Sequence, residues 1–253
     1  AGVCGGDTVV DNCGDCGGDG SLCLESTLSI DFLDGWNWFS LNVQGDNDFM
    51  QPSNLLGSTY SPEALNDLCS DSNPCYMKNQ QGFDEYLPGW GWWPDAAMDV
   101  TATYKLFSQN SGNVSITAEP VPLETSIDLG VGWNWISYLP QELLDVPTAL
   151  LSLLAEDDSG AAYSIADLLK NQNAFTQYFV GYGWFGDALT YMEPGVGYIM
   201  HTIEAGSLLY PDPSTVIGRT IFEENFYGDE DIWNVNVHDY QYNGSISATV
   251  TVD

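Results

Sequence analysis

Residues 34–43 read "DGWNWFSLNV", and residues 131–140 read "VGWNWISYLP". Gly35-Trp36-Asn37-Trp38 therefore returns as Gly132-Trp133-Asn134-Trp135, 97 positions on. Self-similarity at a fixed period points to a repeated structural unit, so the flanks of the two segments decide the fold. Downstream, "KNQQGFDEYLPGWGWWPDA" at 78–96 is matched by "KNQNAFTQYFVGYGWFGDA" at 170–188, which aligns Lys78 with Lys170, Phe83 with Phe175, Tyr86 with Tyr178 and Trp92 with Trp184. These later matches lie 92 apart, so the first copy holds about five extra residues. The loop "CSDSNPC", closed by Cys69 and Cys75, accounts for them.

Each copy reads as strand-rich. "TLSIDF" and "WNWFSLNV" alternate large and polar residues around a turn at Asp34-Gly35, and "TSIDL" and "WNWISYL" do so around Gly130 to Gly132. A helix is expected next: "SPEALNDL", with Ser61 as N-cap and Pro62 at the first helical position, and "VPTALLSLLA" followed by a second short helix in "SIADLLKN". "GWGWWP" and "GYGWFG" then give an aromatic strand or loop, and "TATYKLFSQ" and "VGYIMHTI" a last strand. The expected class is α+β and β-rich: two tandem repeats of roughly 95 residues, mostly antiparallel strands with short helices, behind a disulfide-rich irregular arm. The expected divisions are an arm at 1–24, a first repeat domain at 25–122, a second at 123–217, and a β-hairpin segment at 218–253.

Within GWNW, alternation places Trp36 and Trp38 on one strand face with Asn37 on the other, and likewise Trp133 and Trp135 around Asn134. Each strand of this pattern leads into an apolar helix, so the four tryptophans are expected in the core rather than on a sugar-stacking platform. Trp90, Trp92 and Trp93 lie among Pro88, Gly89, Gly91 and Pro94, which read as loop. They and their counterparts Tyr182 and Trp184 are the candidate glycan or protein contacts, because aromatic residues on loops serve recognition. Lys78 and Lys170 share one repeat position, and each is expected to pair with a carboxylate or helix-end carbonyls beneath the aromatic loop.

Charge narrows the partners. The chain has 253 residues, with 36 Asp and Glu against 4 Lys and Arg, for a net charge of −32. Such a polyanion disfavours nucleic acid and acidic membrane surfaces, whose binding needs basic residues. The charge serves solubility at high ionic strength or binds divalent cations. Aromatic residues make up 13%, which marks an ordered protein rather than an acidic tail. No run of 18 apolar residues occurs, so no spanning helix is expected. The first residue is Ala1, without Met or a signal peptide, which reads as a processed product or a piece of a longer protein.

The six cysteines, Cys4, Cys13, Cys16, Cys23, Cys69 and Cys75, stand in close pairs in Gly- and Asp-rich loops and read as disulfides of an oxidising compartment. Residues 1–23 hold too few apolar side chains for a core and need that covalent bracing. Neighbour pairing is the favoured of three connectivities for the first four, and a zinc site on Cys13 and Cys16 is the weaker rival because no His lies nearby. Asp7, Asp11, Asp15 and Asp19 recur every fourth residue between glycines and are the candidate calcium ligands, with solvated turn aspartates as the plain alternative. Asn113 and Asn243 begin sequons, which are N-glycosylation sites in a eukaryotic source.

Cys4-Gly5-Gly6-Asp7, and the C-G-x-C-G-G-D-G rhythm that runs from Cys13 to a closing Cys23, resemble the Cys-Gly-Asp linker repeats of large secreted multidomain proteins of marine and environmental microbes, often cell-surface, adhesive or filamentous. The resemblance covers residues 4–23 and implies location and modular architecture, with no chemistry attached.

Catalytic signatures are missing. His201 and His238 are far apart and lack ligand-spaced partners, acid pairs are too numerous to be informative, and no phosphate loop, G-x-S-x-G or H-E-x-x-H occurs. Past Arg219, "IWNVNVHDYQYNGSISATVTVD" reads as a hairpin turning at Asn243-Gly244. Two strands are marginal alone, so a further domain, the second repeat or a neighbouring chain is the expected partner. The expectation from sequence is a non-enzymatic extracellular structural or adhesive protein of a surface filament or modular assembly, contacting copies of itself or further domains of its own chain. The alternative is a carbohydrate-binding module that uses the loop tryptophans.

Overall fold

A computed structural model describes residues 25–58, 65–157, 159–186 and 188–216. The expectations for Cys4, Cys13, Cys16, Cys23, Asp7, Asp11, Asp15, Asp19, Asn243 and the hairpin lie outside them. The described residues belong to one compact unit.

In the first copy the strands are β1 (Ser26–Phe32), β2 (Gly35–Phe39), β3 (Val43–Gln44), β4 (Tyr76–Lys78), β5 (Phe83–Leu87), β6 (Gly91–Trp93), β7 (Tyr104–Ser108) and β8 (Gly112–Pro120). The second copy contributes β9 (Ile127–Leu129), β10 (Gly132–Ile136), β11 (Leu144–Asp145), β12 (Leu154–Glu156), β13 (Ala162–Ser164), β14 (Ala166–Lys170), β15 (Phe175–Phe179), β16 (Gly183–Phe185), β17 (Tyr191–Met192), β18 (Tyr198–Thr202) and β19 (Gly206–Leu208). Helices are single turns: α1 (Pro52–Leu55), α2 (Val146–Ala149) and α3 (Pro213–Val216), with a 3-10 turn at Leu151–Leu153. The described residues are β-rich, and every strand pair among them is antiparallel, in keeping with the alternating sequence.

Two five-stranded sheets share one topology, β2-β7-β4-β5-β6 and β10-β18-β14-β15-β16. β4, β5 and β6 form a meander, as do β14, β15 and β16, while β7 and β18 return to pair with both the meander and the GWNW strand. Each sheet lies over its own core, one built around Phe32, Phe39, Met77 and Leu106 and the other around Ile136, Tyr138, Leu169 and Met200.

The helical expectations are corrected in part. "SPEALNDL" falls partly outside the described residues, and 65–68 are bend and irregular backbone rather than helix. "VPTALLSLLA" forms α2, capped by Asp145 through the backbone N–H of Thr148, and then the 3-10 turn. "SIADLLKN" is strand β14 rather than a helix. A register shift between Ala166 and Leu168 explains the misreading, because the bulge breaks strict alternation and leaves apolar residues at helix-like spacing.

The turn at Asp34-Gly35 directs its strands into different sheets: β1 pairs with β8 and β2 with β7. Gly35 and Gly132 take φ of 99° and 97°, the left-handed region that suits glycine. Asn37 staples the first turn, accepting from the N–H of Leu33 and donating to the carbonyls of Leu33 and Gly35. Asn134 does the same with Gly130 and Gly132. These asparagines are buried. The tryptophans thus take the other face, which corrects the expected core placement: Trp36 is 43% exposed, Trp133 is 47% exposed, and Trp38 and Trp135 are half-buried. The short polar side chain goes inward because it can satisfy the turn's backbone groups, which an indole cannot.

The copies join about a pseudo-two-fold axis. Bridges link Phe39 with Val196 and Ala102 with Ile136, and the Ser137 hydroxyl donates to the Leu41 carbonyl. Gly197 fits against the backbone of Phe39, where a Cβ would come within 2.8 Å of its nitrogen.

Candidate binding face

Cross-strand register assembles the outward face. Trp36, Phe107, Tyr76, Glu85 and Trp93 succeed one another across the first sheet, beside a second row of Trp38, Lys105, Lys78 and Phe83. The second sheet carries Trp133, His201, Leu168, Gln177 and Phe185, beside Trp135, Ile199, Lys170 and Phe175. Rings pack along the first row, with Trp36 and Phe107 edge to face at 5.5 Å and Phe107 against Tyr76 at 6.1 Å.

Lysines lie among these rings. Lys78 Nζ sits 4.8 Å from the Trp36 ring centre, and Lys170 Nζ 4.5 Å from that of Trp133. Lys105 Nζ lies 3.6 Å from the Trp38 ring and 4.2 Å from the Trp135 ring, so it joins the outward faces of the two sheets. An ammonium over an indole is held by the ring quadrupole. The Lys105 amine is pulled down to about 8 by partial burial first, then by repulsion from Lys78 and Lys170.

The expected partners of Lys78 and Lys170 are corrected accordingly: these side chains lie on tryptophan rings and make no carboxylate pair among the described residues. On the same face His201 Nδ1 is within hydrogen-bonding distance of an Asp167 carboxylate oxygen, at 2.7 Å, with the His201 ring against Trp133.

Edge strands β2 and β10 are closed by side chains from the opposite copy. Gln172 Nε2 donates to the Trp36 carbonyl at 2.6 Å, and its Oε1 accepts from the Trp38 N–H at 2.8 Å. Gln80 repeats this on Trp133 and Trp135, both at 2.8 Å. An unpaired edge otherwise invites strand addition, and a carboxamide supplies the donor and acceptor that a neighbouring strand would offer.

The candidate loop aromatics divide. Trp90 is 85% exposed at the turn between β5 and β6, and Trp93 is 70% exposed on β6. Trp92 points inward and donates its indole N–H to the Gly57 carbonyl at 3.0 Å, so it belongs to the core. Tyr182 is 90% exposed, whereas Trp184 is half-buried against the Tyr178 ring. Cys69 and Cys75 form the expected disulfide in the first copy's extra loop. Asn113 is exposed on β8, where its amide donates to Ser29 and Asp31. Among the described residues no group of three or more His, Cys, Asp or Glu stands close enough to hold a metal ion, and no helix is long and apolar enough to cross a membrane.

Sequence reading missed Lys105 and the outward role of the GWNW tryptophans. The signal lay in "TYKLF", where alternation puts Lys105 and Phe107 on one face and Tyr104 and Leu106 on the other. A charge marks the outer side, but only the pairing of β7 with β2 carries that side to the tryptophans. No family model matches the chain, and neither a curated protein nor a solved structure matches it.

Proposed function

We propose that this chain is a non-catalytic structural and adhesive module of an extracellular surface assembly, and that it makes contact through the tryptophan–lysine face. The observation that supports this most is the face itself: exposed large apolar rings spread over two sheets, a feature of interaction surfaces rather than of ordinary solvent-facing sheets. The Cys69–Cys75 disulfide supports an oxidising location. Its protein partners are copies of itself or further domains of the same chain, and glycans are the other candidate partners. The test is light scattering and electron microscopy of the oxidised protein over a concentration series, with adhesion to coated surfaces measured in parallel. Ordered assemblies or adhesion, lost in Trp36→Ala/Trp133→Ala while the fold persists, are expected; a wild-type protein that stays monomeric and non-adherent rejects the reading.

A second reading is a carbohydrate-binding module that uses its loop aromatics. It draws on the exposure of Trp90, Trp93 and Tyr182, with Trp92 and Trp184 in supporting positions. Glycan-array binding removed by Trp90→Ala or Trp93→Ala favours it. Calcium on Asp7, Asp11, Asp15 and Asp19 is tested separately by melting with and without chelator, and an unchanged midpoint rejects it.

A further inference from the structure

We propose that the four indoles of the GWNW segments, together with the ammonium groups of Lys78, Lys105 and Lys170, bind an acidic polysaccharide, a chain of pyranose rings bearing carboxylate or sulfate groups. This rests on the reading of that face as the contact surface, and it names what the face contacts.

Charge placement is the first argument. Three of the chain's four basic residues stand on one face, in a protein with 36 acidic residues, and none of the three contacts a carboxylate among the described residues. Lys78 and Lys105 are direct cross-strand neighbours, an arrangement that costs stability through like-charge repulsion. Carboxylates elsewhere in the chain could have neutralised these groups at little cost, yet indole rings surround them instead. An arrangement of this kind is complementary to an external anion.

Order along the face is the second. Trp36 with Lys78 at one end is the same pair as Trp133 with Lys170 at the other, and Lys105 lies between Trp38 and Trp135 in the middle. The three cations therefore stand close together among the four indoles, with one Trp–Lys pair repeated by the pseudo-two-fold axis. An acidic polysaccharide offers the complement of such a face: the C–H faces of its sugar rings pack on indoles, and its anionic groups reach the ammonium groups beside them.

The net charge of −32 does not prevent such contact once salt is present. At an ionic strength of about 0.15 M, screening confines each charge to about 8 Å, so a bound polymer feels the lysines under it more than distant carboxylates. The acids near these rows include Glu85, directly across from Tyr76, and Asp167, which contacts His201.

The test is calorimetry with polygalacturonate and dextran sulfate, against neutral dextran and an oligothymidylate, at about 0.15 M and about 1 M salt. Expected are binding about tenfold tighter to at least one anionic polysaccharide than to dextran, weakening at high salt, and a loss of about tenfold in Lys78→Gln/Lys170→Gln as charge-assisted hydrogen bonds disappear. The preferred polymer tells carboxylate from sulfate. Lys105→Arg, which keeps the charge, retains binding, and an unchanged melting curve shows that each variant is folded. Equal affinity for dextran, tighter binding to the oligonucleotide, or indifference to the lysine substitutions overturns the proposal. So does self-association without polysaccharide that the lysine substitutions abolish, because a second copy is then the occupant. Assemblies by microscopy without polysaccharide binding reject the ligand and leave the contact surface standing.

Discussion

Gln80 and Gln172 are related by the pseudo-two-fold axis, and each lays its carboxamide along the edge strand of the other copy. The exchange is reciprocal, four hydrogen bonds in all, and it explains why the K-N-Q turn keeps its glutamine in both copies. Removing either side chain returns one strand edge to solvent. We expect Gln80→Ala and Gln172→Ala each to cost about 1–2 kcal/mol, the worth of two solvent-accessible hydrogen bonds. Urea unfolding measures this, and a change within experimental error for both would show that the clamps add nothing.

Asn37 and Trp36 are adjacent in sequence but opposite in role. Asn37→Ala and Asn134→Ala leave buried turn groups without partners and should each cost about 2–3 kcal/mol. In the neighbouring aromatic segment, Trp92→Ala removes a buried ring and should cost about 3–5 kcal/mol, whereas Trp90→Ala should stay within about 0.5 kcal/mol. Thermal melts of the four variants rank them, and a Trp90 effect as large as that of Trp92 would reverse the assignment of inner and outer rings.

Gly197 is a point of close approach between the copies. A methyl group there lies 2.8 Å from the Phe39 nitrogen and 2.7 Å from Thr103 Cγ2, so Gly197→Ala must move backbone. Overpacking of this kind costs about 1–3 kcal/mol. Gly35→Ala offers the contrast, since no atom lies within 4 Å of its Cβ and only the φ of 99° opposes it. Crystal or solution structures of the Gly197 variant should show the seam widened, and an unshifted seam with wild-type stability refutes the close fit.

Lys105 gives a pH signature. Its amine titrates near pH 8 in the folded protein against 10.5 ordinarily. Between those values the unfolded chain holds a proton that the folded chain has released, so stability rises with pH across that window. The gain is complete above the unfolded value and is lost as pH falls through about 8. Tryptophan fluorescence should show a step near pH 8 that is absent in Lys105→Gln and moved upward in Lys78→Gln or Lys170→Gln. A step unaffected by all three substitutions assigns it to another group.

Much of the scaffold could be read from the chain, because period-two alternation and the duplicated segments are properties of neighbouring residues. The duplicated segments, the strands on either side of the Gly35 turn and the Cys69–Cys75 loop were visible in this way, but not that the two strands at that turn enter different sheets. Alternation states that Trp36 and Trp38 share a face but not which face is inside. That choice depends on the hydrogen bonds of Asn37 with Leu33 and Gly35, which exist only once the turn has closed. The β14 bulge misled for a related reason, since a one-residue slip gives a strand the spacing of a helix. The candidate face was the least legible part. Lys105 is 67 residues from Trp38 in sequence and reaches it only through the pairing of β2 with β7.

The single lysine at the junction of the sheets has a further consequence. In a dimer of identical chains, any side chain beside the symmetry axis meets its own duplicate, so a cation there would face a second cation. Joining both halves in one polypeptide removes that restriction: opposite Trp38 stands Lys105, while opposite Trp135 stands Ile199, buried and uncharged. Covalent tandem arrangement thus lets an almost symmetric surface carry one unshared charge at its centre, which gives a bound polymer a distinguishable direction.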